Sequence, residues 1–457
     1  MRRLALLVTV ALPAFLGAQA ASAARTITPV RGDVRALAFG GDALVVARQP
    51  ARRGLVVERI VPGASASTIL RTRLSDDDDQ VSLAASAEAL AFAFSPSEGA
   101  DAAAGVMAGP AAGPLREVAT CAAGLLVSPV AVNGSRIAWR EGGCGEPAQR
   151  PRGVAPSVVA VGGADPAAPL RRSPLPGPGL LSALALGPGD AGLAGLLLPS
   201  FFALDSEVRP FGPPGIAAPI VAEQGRAVSP VGILADGTRA FVLAGVEDET
   251  GCDTEVFTIA PGSAVRRPIS TGGCIATGEY PGLPDAVRTT ADRIVLLVTA
   301  PPTPTDARAP RAFVVSTRAD GSDRRVLARG GYRMPLGVAA DGDRSAWWQE
   351  ACTDGSELVV HDGQDAGTLT VAPCRVEVRT RRARVRDGRI AVRLRCPTGC
   401  SGTAYGPRIA SRTFSFGRGT HTLRLPVRLG RHPSRRVRFD LAVRNGPPRT
   451  ASIRVRR

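Results

Sequence analysis

The chain has 457 residues, 44% apolar and only 4% aromatic, with 52 Gly, 39 Pro and a formal net charge of +16. That length supports two or more domains with buried cores. Past the amino terminus, no apolar run reaches the ~18 residues of a membrane span without Gly, Pro or charge. All 56 basic residues are arginine, and asparagine occurs only at Asn133 and Asn445. This is the signature of a coding bias, so part of the arginine content reflects codon choice.

The amino terminus reads as an export signal. Arg2 and Arg3 form a basic start, Leu4 to Ala18 an apolar core, and Ala21-Ser22-Ala23 a small-x-small cleavage pattern. Residues 1–24 are expected to be removed by the general secretory route, with cleavage near Ala23 or Ala24. No cysteine precedes Cys121, so no lipoprotein acylation site is present. The expected location is secreted or extracellular, or periplasmic.

Hairpin signals then recur along the chain. They fall at Asp42, Glu88, Asn133-Gly134, Asp190, Asp236-Gly237, Asp292 and Asp341-Gly342, each between two apolar runs. Asp-Gly and Asn-Gly favour tight β-turns because both residues tolerate positive φ. From 42 to 342 the seven turns are spaced by a mean of 50 residues (300/6). A second hairpin follows in several units, as in EVFTIAPGSAVRRPIST and ELVVHDGQDAGTLTV. Four short strands per unit predict an all-β fold, a β-propeller of about seven blades over residues 25–374. Six or eight blades also fit, because the fourth unit, between Pro166 and Pro230, is Pro/Gly-rich. Strings of sandwich domains need nearly twice this period. Thr26 to Val30 is a candidate for the strand that closes the ring. Units such as ADGDRSAWW and VNGSRIAWR resemble the WD40-like repeats of TolB-type propellers, which implies a scaffold rather than an activity.

Eight cysteines in an exported chain are read as four disulfides. Spacing groups Cys121 with Cys144, Cys252 with Cys274, Cys352 with Cys374, and Cys396 with Cys400. With only three histidines and no CxxC or HExxH pattern, zinc is discounted.

After Cys374 the composition changes. Residues 375–457 hold 23 Arg against 3 acids, a net +20, whereas residues 1–374 hold 33 Arg against 37 acids, a net −4. Apolar and basic residues alternate: Ile390, Val392, Leu394 and Cys396 oppose Arg393 and Arg395, and Val437, Phe439, Leu441 and Val443 oppose Arg436, Arg438 and Arg444. Period-two alternation over several strands predicts a small β-sandwich over 375–457. The element Cys396-Pro397-Thr398-Gly399-Cys400-Ser401-Gly402 resembles a CPxGCxG element of C-terminal immunoglobulin-like modules in secreted high-GC bacterial proteins, which implies no activity.

Two sets of candidate site residues emerge. Arg393, Arg395, Arg424, Arg428, Arg436, Arg438, Arg444, Arg454 and Arg456 form a face suited to a polyanion. Arg226, Tyr280, Tyr332 and Arg333 lie beside the prolines that lead into blades and are candidates for an axial rim. Asp76 to Asp79 lack the spacing of a calcium loop. No metal, cofactor or catalytic residue is assigned: no G-x-S-x-G motif is present, and no histidine precedes His361. The sequence thus points to a non-enzymatic surface or extracellular binding protein, the propeller its platform and the basic module its anchor. The expected partner is an anionic cell-envelope polymer or another envelope protein, not nucleic acid, which would need stacking aromatics, and the chain is expected to be a monomer. The alternative is a glycan hydrolase or lyase with paired acids at the axial mouth.

Overall fold

The computed structural model describes residues 25–456, apart from 52–53, 62–63, 74–80, 95–103, 122–128, 142–157, 177–179, 190, 199–204, 214, 246–253, 272–273, 276–285, 301–310, 364–366 and 429–435. Every regular element among the described residues is a β-strand. The strands form seven antiparallel blades and one larger curled sheet.

Blades run in chain order, each from an innermost strand outward. The inner strands are Asp33–Gly40, Ser82–Ala85, Val130–Asn133, Leu180–Leu186, Ala227–Ile233, Val287–Thr289 and Pro335–Asp341, in blades 1 to 7. Each turns into its second strand at one of the seven hairpins expected from the sequence. At Gly237 and Gly342 the turn needs the positive φ (82° and 56°) that glycine supplies. Second strands are buried on both faces, hence their continuous apolar runs. Trp139, Trp347 and Trp348 lie on them and are core residues. In blade 4 the outermost position is shared by two short pieces, Gly215–Ile216 and Val221–Glu223, which explains why this unit is hard to read.

The ring closes through Arg25–Val30, which pairs antiparallel with Ser356–His361 as the outermost strand of blade 7. This corrects one expectation. ELVVHDGQDAGTLTV was read as the outer hairpin of its own unit, but that edge is already occupied. Leu369–Thr370 instead adds in parallel to Arg325–Gly330, the outer strand of blade 6.

Beyond Cys374, strands from Glu377 to Arg456 form the curled sheet. Arg382–Arg386 belongs to both halves: it pairs with Arg389–Cys396 on one side and with Arg449–Arg456 on the other. Ile390, Val392, Leu394, Phe439, Leu441 and Ile453 meet inside, as the alternation requires. The result is a sandwich-like module with its arginines outward.

The module is seated on blade 7. The disulfide Cys352–Cys374 (Cα–Cα 5.4 Å) packs into the module's core. Ser401 Oγ donates to Cys352 O (3.2 Å) and Asn445 Nδ2 to Ala351 O (3.3 Å), while Cys374 N donates to Asn445 O (2.9 Å). Gly399, at φ +92°, leaves no room for a side chain, since a Cβ would lie 2.9 Å from Thr353. The Cys396–Gly402 element thus forms the seam with the propeller, and its own disulfide, Cys396–Cys400, is present. Cys274 is disulfide-bonded; Cys144 and Cys252 lie outside the described residues.

Candidate functional site

The seven inner strands surround an axial cavity of about 610 Å³. Its wall runs from Val81, Pro129 and Pro230 to the hairpin turns at Ser86, Gly134, Ala235, Ala291 and Gly342. Small residues dominate because seven strands converge on one axis and bulky side chains would fill it. Among the described residues, each inner strand is hydrogen-bonded to a strand on one side only, so its other edge faces the axis.

Bonds between neighbouring blades fix the turn end of the cavity. Ser86 Oγ donates to Gly134 O (2.6 Å), Asn133 Nδ2 to Leu186 O (3.3 Å) and Ala235 N to Ala291 O (2.8 Å). Across the closure, Arg344 donates to Gly41 O (2.6 Å), stacks over Phe39 at 4.8 Å and pairs with Asp341. Arg288 and Asp341 are the charged residues among the described lining. A glycosidase pair requires two carboxyl groups about 5–10 Å apart, and the described wall has Asp341 alone. The described wall does not supply the acid pair that the glycan hydrolase or lyase alternative called for.

The three described axial-rim candidates do not line this cavity. Arg333 is buried below blade 7: Nε donates to Glu350 O (2.9 Å) and Nη2 to Glu357 (2.5 Å), which also accepts from Gln349 (3.0 Å). Tyr332 is half-buried, and the Arg226 carbonyl accepts from Ser206 Oγ (2.6 Å). None of these three lines the axial wall. Tyr280 and Asp76 to Asp79 lie outside the described residues. The residues that do form the wall, alanines and glycines mixed with valines, leucines and prolines, carry no chemical signature. Their only signal is position, immediately before each hairpin.

All nine arginines assigned to the basic face are exposed. They do not form one surface. Arg393, Arg395 and Arg424 stand on one half of the module, and Arg436, Arg438, Arg454 and Arg456 on the other. Arg395 lies 3.9 Å from Glu377, and Arg444 reaches Glu350 of blade 7 at 3.3 Å, so Arg444 serves the seam.

No protein-family model matches the chain, and no curated protein matches it by sequence. Solved structures do. A puromycin hydrolase aligns over 80% of this chain and 59% of its own, with 14% identity and a TM-score of 0.50. Prolyl endopeptidases align over 80% and 53%, at 11% identity and 0.49. The β-propeller domain of the Trilobed protease from Pyrococcus furiosus aligns over 74% and 95%, at 8% identity and 0.48. The chain therefore spans 59% and 53% of the lengths of the first two. Likeness at these identities carries the seven-bladed fold and not an activity. The expectation of a non-enzymatic scaffold with a basic anchor is corrected and not retained, because the puromycin hydrolase that shares this fold at a TM-score of 0.50 is an enzyme.

Proposed function

We propose that the chain works in the hydrolysis of peptides, with the axial cavity receiving an extended segment of the substrate. The observation that carries this reading is the set of seven inner strands, each with one edge of N–H and C=O groups left facing the axis. Extended peptides are recognised by such edges through main-chain bonds. Part of those edges is taken by neighbouring blades, since Val130 N donates to Ser82 Oγ (3.3 Å) and Leu186 O accepts from Asn133 Nδ2 (3.3 Å); the rest borders a cavity whose volume of about 610 Å³ lies within the usual size of a ligand site. The resemblance to peptidase propellers supports the same substrate class. The part played by the described wall is to bind and orient: it has no histidine, and Ser86 commits its hydroxyl to Gly134.

The test uses the full chain and a labelled, end-capped neutral hexapeptide followed by fluorescence anisotropy. Ala235→Trp with Ala291→Trp fills the turn end from two exposed lining positions. Binding is expected for the wild type and is expected to fall at least about tenfold in the filled variant, with an unchanged unfolding midpoint. Equal binding by both, or none by the wild type, overturns the cavity assignment. Mass spectrometry of the same mixtures should show cleavage that falls in parallel. A peptide that binds and stays intact overturns the hydrolytic part.

A further inference from the structure

One half of the C-terminal module carries six exposed arginines on three adjacent strands: Arg382 and Arg384, Arg454 and Arg456, Arg436 and Arg438. Their register lines them up. Arg382 lies opposite Arg454, which lies opposite Arg436, and Arg384 lies opposite Arg456. Neighbouring strands are about 4.8 Å apart, so three cations share one row of about 10 Å. Like charges directly opposite destabilise a sheet.

Coding bias explains arginine in place of lysine, but not this arrangement. In the propeller, several strand arginines are answered by an acid: Arg48 pairs with Glu58, Arg172 with Glu141 and Arg209 with Glu207. The module's acids are Glu377, Asp387 and Asp440. Glu377 pairs with Arg379 and Arg395, and Asp440 accepts from Thr450 at 2.6 Å, so neither answers Arg382, Arg384, Arg454 or Arg456.

We propose that this face binds an extended acidic peptide segment. Along each strand the arginines recur at every second residue, a repeat of about 6.8 Å. An extended peptide repeats its same-face side chains at that spacing, so Asp or Glu at alternate positions meets successive guanidinium forks in charge-assisted bonds. Single-stranded nucleic acid would need stacking platforms beside the cations. The exposed aromatic of the neighbouring strand, Tyr405, sits opposite Asp440, beyond the rows. The choice of peptide over other polyanions rests on the proposed function; the charged face itself does not.

The full chain is titrated into a labelled dodecapeptide of alternating Glu and Ser, at about 20 mM and about 150 mM salt. Arg382→Ser, Arg436→Ser and Arg454→Ser together remove the central row. The expected result is binding about tenfold weaker than wild type, with a steep loss in salt. A matched variant on the other half, Arg393→Ser, Arg395→Ser and Arg424→Ser, is expected to change binding less than about twofold. An equal loss in both variants overturns the site, as does binding that ignores the row. Polyphosphate or single-stranded DNA binding as tightly, with the same sensitivity to the row, overturns the assignment to peptide. The cavity-filled variant separates the two proposals, because it should leave this titration unchanged whether or not the neutral hexapeptide binds the axis.

Discussion

Proline placed at Thr28 or at Ile27 probes the strand that closes the ring. Arg25–Val30 pairs with Ser356–His361 along one edge and, among the described residues, has no strand on the other. Pro29, opposite Glu357, has no N–H, so the odd positions of this strand point their amides outward. Thr26, Thr28 and Val30 therefore supply the bonds to blade 7. Thr28→Pro removes one such bond, about 1 kcal/mol, and lifts Val30 from its place among Leu37, Phe39 and Leu358, about 2 kcal/mol more. The expected loss is about 3 kcal/mol in urea unfolding, with faster amide exchange across Ser356–His361. Ile27 is 50% exposed and its amide faces water, so Ile27→Pro should cost less than about 1 kcal/mol. Equal effects of the two substitutions, or unchanged exchange in Ser356–His361 for Thr28→Pro, would refute this parity and with it the closure.

Asn445 holds φ +56° while bonding Ala351 O and accepting from Cys374 N. Asn445→Ala should cost about 2 kcal/mol, and Asn445→Gly, which keeps the turn, about 1, both by urea unfolding. Asp323 is held at a pKa of about 2, below its ordinary 3.8, chiefly by hydrogen bonds from Arg293 and then Arg325. A depressed carboxylate stabilises the fold above its unfolded pKa and loses that contribution as pH falls toward the folded one. The gap in stability between wild type and Asp323→Asn should thus be full at neutral pH and shrink between about pH 4 and pH 2; a pH-independent gap would contradict the ion pair.

The ring was legible because its turns depend on local chemistry: Asp236-Gly237 and Asp341-Gly342 announce themselves wherever they fall. The alternation of Ile390, Val392 and Leu394 with Ala391, Arg393 and Arg395 was legible for the same reason, since one buried face writes a period of two into the strand. What failed were choices between distant partners. Leu369–Thr370 has no local feature that sends it to blade 6 rather than blade 7; competition with Arg25–Val30 decides that. The cavity was illegible because its wall is assembled from seven short stretches of small residues about 50 apart. Arg333 looked like a rim residue by its place near Pro335, yet Glu357, on another strand, draws it inward. The rows of arginine needed the register, which alone shows that Arg382, Arg454 and Arg436 are neighbours.

The chain crosses every joint between blades. Six are crossed as one blade follows another. The seventh, between blades 7 and 1, is crossed because Arg25–Val30 lies in blade 7 and leads directly into Asp33–Gly40. The joint between blades 6 and 7 is crossed twice, since the chain returns through Leu369–Thr370. Parting blades 7 and 1 therefore means peeling Arg25–Val30 from Ser356–His361, and parting blades 6 and 7 means peeling Leu369–Thr370 from Arg325–Gly330, so the ring is clasped on both sides of blade 7 by strand pairing rather than by loops alone.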